Sequence, residues 1–261
     1  DVKIVYCADE KYKERLKKLQ QKAKGILEAP FSAEDYEKAE EVRKEAEHFY
    51  TMTMVADEPA KVWECAGSVI YYVENALAML NKQYFHYGVK RAYEELNAMK
   101  HRPENVCELI ENIISAVSIT DRKKNVTALM KETIAVFQRV KEMFPEQKKP
   151  VTEDTISGTY EEMYSNWRNK MYLAEATGNR HLAFMSLISA GKMLAEISSE
   201  IEIDQYRVME CYKPDDLYKT AYAYDDILEK YRREYNKAGI LEKRYADIDE
   251  FVLAYQGKKQ S

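Results

Sequence analysis

The feature that most restricts the fold is a long apolar stripe at helical spacing over residues 62–80. Its members recur every three or four residues: Val62, Ala66, Val69, Val73, Ala76 and Leu80. This spacing predicts an α-helix, and Trp63, Ile70 and Leu77 widen the stripe beyond what a surface helix needs. Two glutamates interrupt the segment, so we interpret it as the buried centre of a helical bundle rather than as a membrane span.

Scarce chain-breaking residues extend the same prediction to the whole chain. Of 261 residues, 8 are glycine and 6 are proline, whereas a sheet-rich domain needs both at its many turns. The predicted class is therefore all-α, a multi-helix bundle in two helical subdomains. The one convincing strand signal is a short β-rich run at the amino terminus: Val2, Ile4, Val5 and Tyr6.

A polar segment bounded by prolines, residues 145–150, is the predicted linker. It separates residues 1–147, a strand followed by a helical bundle, from residues 151–261, a second helical subdomain. The first 150 residues hold 25 basic and 25 acidic side chains, so the net charge of -5 belongs to the second part. This charge gives no reason to expect nucleic acid or an anionic membrane as a partner.

Cysteine usage and missing motifs narrow the function further. The four cysteines lie at least 42 residues apart, which is neither a zinc pattern nor a disulfide framework and predicts a cytoplasmic protein. The sequence has no glycine-rich phosphate loop, no HExxH and no GxSxG. It therefore predicts no catalytic residue and no metal ligand in this chain.

Two polar groups are candidate binding residues. Glu64, Tyr71 and Glu74 share one side of the central helix, where they could receive a cationic, polyhydroxylated acceptor; the alternative is an exposed seam or interhelical hydrogen bonds. Trp167 and Arg168 are typical of interface anchors, although an internal packing anchor explains them equally well.

Two further patterns have ordinary explanations that we favour. Arg43 and His48 match the R-x4-H spacing of helical ribonuclease modules, but a solvated pair on a charged helix is the favoured interpretation. Asp247 and Asp249 form a D-x-D pattern that opens the last predicted helix, where acidic residues are favoured by the helix dipole. We interpret this pair as a helix cap.

One resemblance points to a family. The residues that carry it are the run Trp63-Glu-Cys-Ala-Gly-Ser-Val-Ile-Tyr-Tyr-Val-Glu-Asn-Ala-Leu-Ala-Met-Leu-Asn81, then Tyr84-Phe85 and Gly88-Val-Lys-Arg91. This run resembles the helical segment that follows the catalytic domain in bacterial nucleotidyltransferases of the polymerase-β superfamily, which include antibiotic adenylyltransferases acting on aminoglycosides and lincosamides. Residues 1–12 are similar to the last strand of that domain and its first downstream helix, and residues 164–170 with 244–245 to an extended tail.

The resemblance implies a division of labour. That family holds Mg²⁺ and ATP on a Gly-Ser motif followed by an Asp-x-Asp pair, and no Asp occurs here from residue 58 to residue 120. Because the chain begins at Asp1 within a predicted strand, we expect the catalytic part to lie upstream and this chain alone to be inactive. Its expected role is to help bind a small-molecule acceptor and to form a homodimer. The alternative is an α-helical protein-interaction scaffold without catalysis.

Overall fold

The structure is a computed structural model that describes residues 6, 9–145, 147–242, 245 and 247–257. Over these residues the regular structure is helical, which confirms the all-α prediction. Extended pairing among them is limited to one bridge between Lys149 and Ile201. The strand predicted for residues 2–6 lies, apart from Tyr6, outside the described residues.

The chain divides into two compact units, Asp1–Pro145 and Glu146–Ser261. The division falls inside the segment predicted as a linker, residues 145–150. That each unit is an independent domain stays a prediction.

The first unit is built from six α-helices and a 3₁₀ turn at Gly88–Arg91. The helices are α1 (Glu10–Glu28), α2 (Ala33–Val55), α3 (Pro59–Leu80), α4 (Ala92–Ala98), α5 (Val106–Ser115) and α6 (Ile119–Lys141). Ser32 caps α2 as predicted, since its hydroxyl accepts from the Asp35 amide and the Asp35 carboxylate accepts from the Ser32 amide. Pro59 is the first residue of α3, where its missing N–H costs little.

Helix α3 is the centre of this unit. All six members of the predicted stripe are buried, and Leu77 joins them. Trp63 is different, because 48% of its surface is exposed and its ring covers the buried guanidinium of Arg122 at 3.3 Å from the ring centroid. Arg122 also donates to the carbonyls of Ile113 and Ala116 at the end of α5. A cation at a helix carboxyl terminus satisfies carbonyls that the helix leaves unpaired.

Two predicted boundaries are wrong. The cap of helix α6 is Ser118, two residues before the predicted cap at Thr120-Asp121, because the Ser118 hydroxyl accepts from the Asp121 amide at 3.0 Å. The helix predicted from Thr155 to Ala176 is broken at Gly158, which has a left-handed φ of 84° that a side chain would disfavour.

The described part of the second unit contains two long helices of 21 residues each, α10 and α11, and four shorter ones. They are α7 (Glu153–Ile156), α8 (Thr159–Glu162), α9 (Asn169–Thr177), α10 (Arg180–Glu200), α11 (Leu217–Lys237) and α12 (Ile248–Gly257). A π-helical turn, Met163–Arg168, joins α8 to α9, and a 3₁₀ turn at Val208–Cys211 follows α10. Gly178 and Gly239 follow α9 and α11, each with a left-handed φ.

Tyrosines of α11 form much of the core of this unit. Tyr224, Tyr231 and Tyr235 are at most 1% exposed. The Tyr235 hydroxyl donates to the Ile156 carbonyl at 2.5 Å and accepts from the Tyr160 amide at 3.0 Å. The ring of Tyr231 packs inside this core, against the rings of Tyr206 and Tyr235.

Candidate functional site

Helix α1 presents an apolar stripe that is exposed in the part of the chain that the structure describes. We call it the α1 stripe: Tyr12, Leu16, Leu19, Ala23 and Ile26. The spacing of four, three, four and three residues is the heptad pattern of a helix that packs along a second helix. No residue of α1 is buried, and the four large members of the stripe are 39–64% exposed. This helix therefore holds an unused packing surface.

Basic side chains run along one edge of the α1 stripe. They are Lys11, Arg15, Lys18 and Lys22. None of the four forms an ion pair with a described carboxylate, whereas Lys13 and Lys24 pair with Glu10 and Glu28 elsewhere on the helix. The α1 stripe thus has an edge of uncompensated positive charge.

Sequence reasoning recognised α1 as a basic helix but missed its stripe. The signal was present in the spacing, although a tyrosine and an alanine make it weaker than the stripe of α3. Periodicity also predicts burial only if a partner is available, and the described residues of this unit bury no side chain of α1.

The predicted acceptor residues of α3 are not brought together. Glu64 and Tyr71 lie on the exposed face of the helix. Glu64 forms an ion pair with Lys61 at 3.0 Å, and Tyr71 is 60% exposed. Glu74 lies at the edge of the buried face instead. No hydrogen bond joins these three side chains among the described residues.

Glu74 is nevertheless an unusual carboxyl group. It is partly buried, and burial raises its pKa to about 7. It has no hydrogen-bond partner among the described residues. Its charge adds to burial and to the Glu111 hydrogen bond in raising the pKa of Tyr93 to about 12. A group that ionises near neutrality in a partly apolar setting is a candidate for binding a cation.

Trp167 and Arg168 are engaged inside the second unit. Trp167 packs against its core, and Arg168 forms two hydrogen bonds to the Asp225 carboxylate at 2.7 and 3.2 Å. The guanidinium also lies over the rings of Tyr164 and Tyr172, at 4.8 and 4.6 Å. These contacts are those of an internal anchor. An interface role for the pair stays a prediction.

The ribonuclease spacing is not assembled into a site. Arg43 is buried rather than solvated, and it pairs with Glu40 and Glu47 at 2.5 and 2.6 Å. His48 is exposed on another side of α2, because five residues turn a helix by about 140°. The two side chains cannot act on one phosphate from these positions.

The D-x-D pattern acts as a cap, as interpreted. The Asp247 carboxylate accepts from the Glu250 amide at 2.9 Å, three residues into the helix. Over the described part of the chain, no group of three or more His, Cys, Asp or Glu side chains could hold a metal ion. The Mg²⁺ and ATP that the nucleotidyltransferase resemblance implies for a complete enzyme stay a prediction.

The chain matches no protein-family model, no curated protein and no solved structure. Membership of the nucleotidyltransferase family therefore stays a prediction that rests on the helical run beginning at Trp63. Function has to be argued from the surfaces that the two units present.

A cleft in the second unit is balanced in charge. It has a volume of about 810 Å³ and lies between α11 and residues 204–211. Four acidic and four basic side chains line it: Asp204, Glu210, Asp226 and Glu234, with Arg207, Lys230, Arg233 and Lys237. Two pairs form between neighbours on the same side of the cleft: Lys237 with Glu234 at 2.9 Å and Arg207 with Glu210 at 3.3 Å. The lining selects no particular ligand charge.

No helix in the described parts of the chain combines the length and the apolar character that crossing a bilayer requires.

Proposed function

We propose that this chain is a non-catalytic helical module that binds another protein through the α1 stripe. The observation that supports this most strongly is the exposure of a 19-residue helix with a heptad stripe and not one buried residue. Apolar surface left in water costs about 25 cal/mol per Å², and a partner would recover that free energy.

The chemistry of α1 also indicates the kind of partner. A narrow heptad seam fits the side chains of one facing helix. Arg15 and Lys22 lie beside that seam, at positions where a coiled-coil partner supplies charges of opposite sign. The expected partner is therefore an amphipathic helix with acidic residues beside its apolar face.

Binding of a designed peptide tests this proposal. A fluorescein-labelled helical peptide with a heptad apolar seam and glutamates at the flanking positions is titrated with the protein, and its anisotropy is followed. We expect saturable binding that weakens as salt rises, because the flanking contacts are ionic. The variant L16E/L19E should lose the binding, since both substitutions place charge in the seam.

Two controls make the titration specific. A peptide of the same composition with its apolar residues out of heptad register should not bind. The variant V89E/V117E adds the same charge at two valines that are 96% and 98% exposed, and it should bind like the wild type. The proposal is contradicted if the two peptides bind equally well, or if L16E/L19E binds the heptad peptide as tightly as the wild type does.

A second candidate function is the acceptor wall of a nucleotidyltransferase. Glu74 favours it specifically, because a partly buried carboxyl without a hydrogen-bond partner gains most from a bound amine. Burial holds its pKa near 7, so a cationic ligand that favours the ionised form should bind more tightly as pH rises through neutrality.

Calorimetry with a panel of aminoglycosides tests this candidate. We expect binding that strengthens from pH 6 to pH 8 in the wild type and is weak at both values in E74Q. The control is E64Q, because Glu64 lies on the exposed face of the same helix. Unchanged affinity in E74Q removes Glu74 from any acceptor pocket.

A further inference from the structure

Helix α12 carries a second exposed apolar surface, at the other end of the sequence. We call it the α12 stripe: Ile248, Phe251, Val252 and Tyr255. Their spacing of three, one and three residues places them on one face of the helix, and each is 40–75% exposed. The stripe includes two aromatic rings that stack on each other, with centroids 6.1 Å apart.

The charge of α12 is opposite to that of α1. The helix contains Asp249 and Glu250 and no basic residue; Lys258 and Lys259 follow it in the sequence, at the end remote from the acidic turn. Asp249 is exposed and lies next to the α12 stripe in the helical projection. In α1 the corresponding flank is basic, with seven Lys or Arg against three Glu over residues 10–28.

These two surfaces complement each other and neither complements itself. Two α1 helices packed through their stripes would find no carboxylate beside the seam, because the residues at its edges are Lys13, Arg15, Gln20, Lys22 and Leu27. Two α12 helices would find no cation, because residues 248–257 contain no Lys or Arg. Only an α1–α12 pair joins two apolar stripes with opposite charges beside the seam, and like charges across an interface are strongly unfavourable.

We propose that α1 of one copy of this chain packs against α12 of a second copy, so that the protein self-associates through this helix pair. The proposal rests on the proposed function of α1 as a helix-binding surface and names its partner. A closed dimer would contain the contact twice, and an open assembly would contain it once for each added copy.

Sedimentation over a wide range of protein concentration tests the proposal. The wild type should shift from monomer to a larger species as concentration rises. R15E/K22E places acidic residues opposite the acidic α12, and D249K/E250K reverses the charge of the acidic turn of α12, including Asp249 beside the stripe. Each variant alone should associate at least about tenfold more weakly than the wild type.

Charge exchange separates this contact from a general effect of net charge. A mixture of R15E/K22E with D249K/E250K should associate, because each variant then meets its opposite charge, and the chain with all four changes should recover wild-type association. K124E/K192E alters net charge by the same amount as R15E/K22E, at two exposed lysines elsewhere, and should associate like the wild type. Circular dichroism checks that every variant stays helical.

Several outcomes overturn the proposal. A wild type that stays monomeric at every concentration overturns it. If the acidic heptad peptide still binds to that monomer, the proposed function of α1 survives and its partner is a different protein. The proposal is also overturned if R15E/K22E and D249K/E250K each associate as strongly as the wild type. So does a monomeric protein that sediments with phosphatidylserine-containing vesicles and loses that binding in L16E/L19E, because α1 would then belong to a lipid surface.

Discussion

The two units of this chain build their cores with different chemistry. In the first, the central helix α3 buries nine residues, none of which carries a polar side chain except the thiol of Cys65. In the second, the long helix α11 buries three tyrosines whose hydroxyls reach distant polar groups, as Tyr231 does with Thr159 at 2.7 Å.

The aliphatic core needs no directional contacts, whereas each buried tyrosine hydroxyl needs a hydrogen-bond partner. Aliphatic burial is roughly proportional to area and tolerates any apolar neighbour. A buried tyrosine hydroxyl must find a hydrogen-bond partner, because leaving it unpaired costs free energy. The core of the second unit therefore depends on the backbone of residues 156–160 as much as on the shape of α11.

The largest expected effect is in the aliphatic core. L77A removes a fully buried side chain of α3 and should lower the free energy of unfolding of the first unit by about 2–5 kcal/mol. The measurement is urea denaturation followed by the fluorescence of Trp63 in a W167F background, since the chain has one tryptophan in each unit. M79A, on the partly exposed face of α3, should cost much less; equal losses would contradict this account.

The second effect removes one oxygen atom from the tyrosine core. Y235F leaves the Tyr160 amide and the Ile156 carbonyl without this partner, so we expect a loss of about 1–3 kcal/mol. Fluorescence of Trp167 in a W63F background follows this unit.

The matched control is Y222F, which alters a tyrosine of the same helix that is 61% exposed. It should leave stability within experimental error. If Y235F behaves like Y222F, the hydroxyl contacts do not hold the second core, and the distinction between the two units fails.

The same contrast explains what the sequence could predict. The stripe of α3, the Ser32 cap and the end of α9 follow from local rules, and the structure confirms them. The hydrogen bond between Thr159 and Tyr231 does not, because it joins residues 72 positions apart.

The candidate sites show the same limit. Three-residue and four-residue spacing put Glu74 on the same side of a helix as Tyr71, yet spacing alone does not say which edge of that side neighbouring helices cover. The α1 stripe is the opposite case, because its pattern is local but its partner is outside the unit. Local rules therefore predict the helices well, but they predict poorly which surfaces stay exposed.

Glu74 is a partly buried carboxyl group on the otherwise aliphatic side of α3, and the pH dependence of stability tests its effect. Its pKa is raised by burial from 4.5 to about 7, so its contribution to stability is full below pH 4.5 and is lost as pH rises through 7. Since glutamine cannot ionise, E74Q should gain on the wild type across this window, by about 1–2 kcal/mol after an allowance for partial exposure. Unfolding free energies measured at pH 5 and pH 8 give the difference, and parallel pH curves for the two proteins would contradict it.

The smallest effect concerns Arg168, the polar anchor of the second unit. R168K keeps the charge but loses the forked pair of hydrogen bonds to Asp225 and the stacking on Tyr164 and Tyr172. We expect a loss of about 1 kcal/mol, because the pair is partly exposed and water replaces part of it. R180K changes an exposed arginine that lies 3.7 Å from Asp215 and should cost nothing measurable. If R168K lowers the free energy of unfolding no more than R180K does, the contacts of Arg168 do not stabilise the second unit. The difference between the two units would then rest on the tyrosine hydroxyls of α11 alone.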